Sequence, residues 1–151
     1  MKIAIIGAGA AGLAAAKNLR THHTITVFEA LPSLAGVWAS HASAPCQPIY
    51  EELRTNIPID LMAFWDFPFD ASDKTASTGD FLEADVVRAY LARYADHFNL
   101  VPLIQFDRRV VSVEKASDGW QVQLDTARRR ERQRFFPIWC LRWIARGSLA
   151  L

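Results

Sequence analysis

Gly7-Ala8-Gly9-Ala10-Ala11-Gly12 places three glycines at the spacing G-x-G-x-x-G, and an acid, Glu29, follows downstream. Those residue types suit one chemistry, the holding of a dinucleotide. Gly7 permits a tight turn, Gly9 lets the backbone approach a pyrophosphate without a Cβ in the way, and Gly12 lets a helix pack close to a strand. The free N–H groups of a helix N-terminus then face the phosphates, aided by a dipole worth about half a charge. Glu29 has the chemistry to accept hydrogen bonds from the adenosine ribose hydroxyls and to repel a 2′-phosphate, which disfavours NADP at this site. Gly7, Ala8, Gly9, Ala10, Ala11, Gly12 and Glu29 are therefore the first candidate cofactor-binding residues. No metal site is expected: Cys46 and Cys140 are far apart without a C-x-x-C, His22 and His23 are adjacent, and His41 and His97 stand singly. That cysteine usage also excludes a disulfide scaffold and makes a reducing, cytoplasmic setting the default.

The motif has meaning only if secondary structure flanks it. Lys2–Ile6 is a short apolar run that reads as a buried strand of a parallel sheet. Ala10–Arg20 reads as an alanine-rich helix with a basic end, and Thr24–Phe28 as a second strand. Together they form a βαβ unit, with a right-handed crossover expected. The apolar stretch Ile3–Ala16 also resembles a signal peptide. Its regularly spaced glycines argue against that, and it is too short to span a membrane as a helix.

Residues 30–80 show little periodicity and are rich in proline and in aromatics (Trp38, Tyr50, Phe64, Trp65, Phe67, Phe69). A stretch this long and irregular points to function, and its aromatics argue against disorder. Asp80 and Glu83 stand at capping-box spacing. Leu82, Val86, Val87, Tyr90, Leu91, Tyr94, Ala95 and Phe98 then recur at three and four, predicting an amphipathic helix that ends near Asn99. Strands are expected at Leu103–Phe106, Arg109–Ala116 and Trp120–Leu124, with Ser117-Asp118-Gly119 as a hairpin turn. Trp120, Val122 and Leu124 alternate with Gln121 and Gln123, predicting one buried and one wet face.

The formal net charge of +1 excludes a globally basic nucleic-acid binder. The average hides an asymmetry: residues 1–126 carry ten Lys/Arg against fifteen Asp/Glu, whereas 127–151 carry seven Arg and a single acid, Glu131. The expected division is a domain over 1–126 and a basic, aromatic tail over 127–151 that stands outside the fold. Pro137 interrupts any regular element there. The primary reading of the tail is a truncated or mis-framed product. The secondary one is an appendage lying on an anionic membrane surface.

Residues 1–124 resemble the N-terminal part of the flavin-containing monooxygenases, the class B flavoprotein monooxygenase family. Ile-Gly-Ala-Gly-Ala-Ala-Gly-Leu (6–13) is similar to the family's FAD fingerprint, and Ala35-Gly36-Val37-Trp38 to its G-G-x-W. Tyr50-Glu51-Glu52-Leu53-Arg54-Thr55-Asn56-Ile57-Pro58 resembles its Y-x-x-L-x-T-N-x-P, and Met62–Phe69 its M-x-F-x-D-F-P-F. The resemblance implies an α/β fold: a Rossmann-like FAD-binding domain with a parallel sheet plus a small β-meander or hairpin. It implies FAD as the dinucleotide, with Val37 and Trp38 along it. Asn56 is implied near the reactive edge of the isoalloxazine as the catalytic residue, with Thr55 beside it. The aromatic, proline-rich segment would wrap the flavin. Ala35 departs from the first glycine of the family's pair.

The resemblance further implies an oxygenase: NADPH reduces FAD, O₂ adds to give a C4a-hydroperoxide, and a soft nucleophile, an amine nitrogen or a sulfide, is oxygenated. The second half of that chemistry needs a dry pocket, and the first needs a separate NADPH domain. The sequence shows no second G-x-G-x-x-G, nor the family's F-x-G-x-x-x-H, nor the A-T-G strand that follows the hairpin. An incomplete FAD-binding domain, binding FAD and no nucleic acid, is therefore expected. A non-catalytic FAD-binding fragment or an inactive product stays open as the alternative.

Overall fold

The computed structural model describes residues 1–39, 50, 53–75, 81–126 and 129–135. Expectations that rest on His41, Cys46, Glu51, Glu52, Asp80, Arg128, Cys140 and the segment 136–151 fall outside these residues.

Strand β1 (Lys2–Ile6) pairs in parallel with β2 (Thr24–Phe28), whose other edge takes β3 (Ile104–Gln105). Side chains alternate across a strand, so Ile3, Ile5, Ile25 and Val27 enter one core while Ala4 and Phe28 enter another. On the first face lie α1 (Ala10–Leu19), with Leu13, Ala15 and Ala16 buried, and the residues of the long helix introduced below. The second face is covered by an antiparallel meander of β4 (Arg109–Ala116), β5 (Gly119–Thr126) and β6 (Arg129–Phe135). Val122 and Leu124 of β5 close the small core with Ala4 and Phe28. The result is the expected α/β arrangement, a parallel sheet with an antiparallel meander behind it.

The segment between β2 and β3 contributes α2 (Ile59–Met62), α3 (Ala71–Thr75) and α4 (Ala84–His97). The amphipathic pattern places α4 correctly and misses its start. Glu83 is the N-cap residue rather than the third helical one, and its carboxylate meets Arg54 at 3.3 Å. The cause is pairing: Arg54 and Glu83 form an antiparallel bridge, and the Ala84 N–H donates to the Leu53 carbonyl, so the chain before Ala84 is held extended. The C-terminal end matches the expectation. Asn99 adopts a left-handed φ of 48°. Its N–H donates to the Asp96 carbonyl and that of Leu100 to Ala95, the Schellman pattern. Arg20, at the end of α1, donates to the Asn99 carbonyl at 3.0 Å and also to that of Phe98.

Other expectations shift locally. The strand predicted over Leu103–Phe106 is reduced to Ile104–Gln105, because Val101–Leu103 forms a 3-10 turn led by Pro102. The hairpin closes through Ser117 and Asp118, with Ala116 opposite Gly119. Val122 and Leu124 are buried as predicted, whereas Trp120 and the two glutamines are all half-buried. The tail enters the fold in part: Arg129–Phe135 pairs with β5 from Thr126↔Arg129 to Trp120↔Phe135. The β4–β5–β6 sheet thus extends past the boundary expected at 126, because the exposed ladder of β5 offers backbone partners whatever the side chains are.

Among the described aromatics of the irregular segment, Phe64, Phe67 and Phe69 pack on α4. Phe69 stacks on Tyr90 with centroids 3.9 Å apart, and Phe64 lies 4.4 Å from Tyr94. The Tyr90 hydroxyl accepts from the Phe64 N–H at 2.7 Å and donates to the Phe67 carbonyl at 2.6 Å. Lys17 of α1 pairs with Asp66, which ties the same segment to the first helix. Among the described residues, no helix is long and apolar enough to cross a membrane.

Candidate dinucleotide site

The loop from β1 to α1 is built as its glycines require. Gly7 takes a φ of 97°, a conformation that L side chains rarely adopt, while its N–H donates to the Phe28 carbonyl at 2.8 Å. A Cβ at Gly12 would lie 1.9 Å from the Gly7 carbonyl oxygen, so only glycine lets α1 start this close to β1. Gly9 is the N-cap of α1 and has no side chain to cap with. The first intrahelical bond runs from the Leu13 N–H to the Gly9 carbonyl at 3.0 Å. The amides of Ala10, Ala11 and Gly12 precede that bond and are the helix's orphan donors.

Glu29 stands at the end of β2, 5% exposed. One carboxylate oxygen accepts the Ala8 N–H at 2.6 Å and the other the Leu31 N–H at 2.9 Å. A carboxylate offers about four lone-pair positions, so acceptor capacity remains toward the cavity that Glu29 lines. Ala8 differs from its neighbours in the motif. It is fully buried, its N–H is committed to Glu29 and its carbonyl accepts the Ala35 N–H at 3.1 Å. It joins the pieces of the site without facing the cavity.

The opposite wall is the turn after β2, a 3-10 turn over Gly36–Trp38. Gly36, at a φ of 58°, approaches so closely that a Cβ there would lie 2.9 Å from the Gly9 Cα. Ala35 occupies a φ of 104°, where glycine is favoured, and its methyl is fully buried. The departure noted in the sequence thus falls on a left-handed residue. Between loop and turn lies a cavity of about 340 Å³. Of the sequence-predicted residues, Gly7, Gly9, Ala10, Ala11, Gly12, Glu29, Val37 and Trp38 line it. Ile6, Ala35 and Gly36 also line it and were assigned no cofactor contact from sequence. The quoted stretch Ala35-Gly36-Val37-Trp38 carried the signal for two of them.

Thr55 and Asn56 do not line this cavity. The Thr55 hydroxyl accepts from the Leu82 N–H and donates to the Ile57 carbonyl, each at 3.0 Å, and the Thr55 N–H donates to the Leu82 carbonyl at 2.9 Å. Those bonds make Thr55 the clamp of its own loop. Asn56 follows it with its side chain exposed. The structure therefore gathers eight of the sequence-predicted residues around one cavity and leaves Thr55 and Asn56 off its lining.

The sequence profile described as flavin-binding monooxygenase-like matches residues 1–138. The chain is 35% identical over 140 residues to the flavin-containing monooxygenase FMO GS-OX5 of Arabidopsis thaliana, covering 82% of this chain and 30% of that relative. It is 34% identical over 142 residues to the putative flavin-containing monooxygenase FMO GS-OX-like 11 of the same plant, covering 80% of this chain and 84% of that relative. Among solved structures, the S-allyl-L-cysteine S-oxygenase of Allium sativum superposes with a TM-score of 0.78 at 29% identity, over 92% of this chain and 35% of that one. An oxidized steroid monooxygenase bound to NADP gives a TM-score of 0.64 at 27% identity, over 83% of this chain and 23% of that one. The chain spans about 30% of the length of the first curated relatives it matches.

Proposed function

Since the chain belongs to the flavin-binding monooxygenase-like family, we propose that it is the FAD-binding portion of an NADPH- and O₂-dependent monooxygenase of soft nucleophiles. The observation that carries the reading is the cavity between the glycine loop and the Ala35–Trp38 turn, with orphan amides on one wall and Glu29 on another. These residues fit FAD. Negative phosphate oxygens match the N-terminus of α1, where no acidic side chain occupies the first turn. The carboxylate of Glu29 matches ribose hydroxyls and opposes the 2′-phosphate of NADPH, so the cradle selects FAD of the two. Val37 and Trp38 supply apolar contact on the turn side. FAD, when bound, supplies the redox chemistry between NADPH and O₂.

Asn56 is the proposed catalytic residue, with Thr55 holding its loop. An amide both donates and accepts without titrating, which suits the orienting of a polar substrate atom across a wide pH range. Between an amine nitrogen and a sulfide sulfur, the S-oxygenase of Allium sativum, at 29% identity, favours sulfur. The second reading, a non-catalytic FAD-binding fragment, is favoured by one observation: these residues hold a single G-x-G-x-x-G. Both readings require FAD binding, and they part on turnover.

The test has two stages. Titration of the apo chain with FAD, followed by flavin fluorescence, should show saturable binding; none would remove both readings. Anaerobic stopped-flow mixing of the loaded chain with NADPH should then show no rapid flavin bleaching. Hydride transfer needs the nicotinamide held within about 3–3.5 Å of its acceptor, and these residues hold no second G-x-G-x-x-G to place it. Bleaching within seconds, coupled to an oxygenated sulfide, would make the 151 residues a working enzyme.

A further inference from the structure

Arg88 lies on α4, fifty residues from the turn that walls the cavity, and no nucleotide motif includes it. Its Nε donates to the Trp38 carbonyl at 2.9 Å. A terminal guanidinium nitrogen donates to the Asp85 carboxylate at 2.8 Å, one turn back on the same helix. Asp85 thus orients the guanidinium, and the guanidinium holds the last carbonyl of the Gly36–Trp38 turn.

That turn needs holding. Ala35 at a φ of 104° carries backbone strain of a kind that persists only where the surroundings over-determine it. Among the bonds that hold it are the Ala35 N–H on the Ala8 carbonyl at 3.1 Å, the Trp38 N–H on the Ala35 carbonyl at 3.1 Å, the Ala39 N–H on the Gly36 carbonyl at 3.0 Å, and the bond from Arg88. The first three are neutral backbone bonds. The last is charge-assisted, roughly twice as strong, and it reaches the turn from α4.

We propose that Arg88 is a positioning residue for the dinucleotide site, closing the strained Ala35–Trp38 turn over the glycine loop from α4. Its role as a determinant of FAD affinity rests on the reading of the cavity as the FAD cradle; its role in holding the turn does not. With Arg88 removed, Ala35 relaxes, Trp38 leaves the wall and the cavity loses its shape. Ala35→Gly relieves the strain at its source and makes the turn less dependent on Arg88.

The test uses the full chain in two measurements. Amide hydrogen exchange on the apo protein reads the turn directly. Arg88→Ala should accelerate exchange at Trp38 by about tenfold or more, the lower end expected for loss of a charge-assisted bond, with α4 amides beyond Leu91 unchanged. FAD titration of the same variant should show affinity weakened by about tenfold. Adding Ala35→Gly should restore most of both effects. Arg88→Lys keeps the charge and the aliphatic stem without the Nε–H, and should resemble Arg88→Ala; it also replaces that variant if Arg88→Ala fails to fold. Unchanged exchange at Trp38 in a folded variant would overturn the proposal. Absence of FAD binding by the parent chain would instead overturn the cradle reading and leave the exchange result to decide Arg88.

Discussion

The dinucleotide cradle and the aromatic segment on α4 solve opposite problems. In the cradle side chains are pared away: Gly9, Gly12 and Gly36 bring main chain against main chain, Gly7 turns at a positive φ, and the helix N-terminus is left without a side-chain cap. In the aromatic segment the backbone is satisfied and side chains make the structure. Tyr90 closes the Phe64 and Phe67 peptide groups, and Phe64, Phe67 and Phe69 fill the space over Tyr90 and Tyr94. The difference teaches where each region is vulnerable. The cradle fails when an atom is added or an acceptor removed; the aromatic segment fails when a buried side chain is made to carry charge.

The largest effect is expected from adding one carbon to the cradle. Gly12→Ala puts a Cβ 1.9 Å from the Gly7 carbonyl oxygen, which is main chain and has little room to yield. A loss of about 3 kcal/mol, at the upper end for overpacking, should appear in urea denaturation. A neutral Gly12→Ala would mean that α1 is not seated as described. Next comes Glu29→Ala, which should weaken FAD binding by about 1.5–3 kcal/mol, the range for bonds to a charged group. The same change orphans the Ala8 N–H, so Glu29→Gln belongs beside it: a side-chain oxygen can still take that amide, while the negative charge is gone. Equal affinity for FAD in parent and both variants would remove Glu29 from the ribose.

The aromatic segment should answer to alkaline pH. Burial, reinforced by the nearby Asp66 carboxylate and Tyr90, pushes the Tyr94 phenol up to about 12, and burial raises Tyr90 as well. A raised phenol stabilises the fold fully below the unfolded value of 10. That contribution is lost between pH 10 and about 12, where the unfolded chain releases the proton first. Stability should fall by about 2 kcal/mol across that window. Tyr94→Phe should flatten part of the decline, with Tyr90 supplying the rest. An unaltered alkaline limb in the variant would place the effect elsewhere. The smallest effect returns to the cradle. Ala35→Gly should stabilise by about 1 kcal/mol, since it relieves a left-handed alanine, with the loss of a buried methyl acting against it. Thermal denaturation of the two proteins side by side would show the sign.

Much of this architecture was legible in the chain because it is local. The run of Ile3, Ile5 and Ile6, the glycine spacing and the β-branched Thr24–Phe28 prescribe a strand, a turn, a helix start and a second strand within a few residues of one another. The recurrence of Val87, Tyr90, Leu91 and Tyr94 likewise prescribes α4. The start of α4 was misread because Glu83 is claimed by Arg54, from outside the helix. The strand at Arg129–Phe135 was missed because pairing with β5 depends on an open ladder rather than on an apolar pattern.

By itself, the sequence determined the shape of the loop from β1 to α1: three glycines and one acid, each set by steric needs within one βαβ unit. Tertiary structure alone decided which polar groups face the cavity. Ala8, inside the motif, is turned away and bonded to Glu29 and Ala35, while Arg88, far from any motif, reaches the turn through the Trp38 carbonyl. Phe64, Phe67 and Phe69 went to Tyr90 and Tyr94 for the same reason. Burial against a partner distant in the chain outweighs what a local pattern suggests, and such partners exist only once the sheet and α4 have come together.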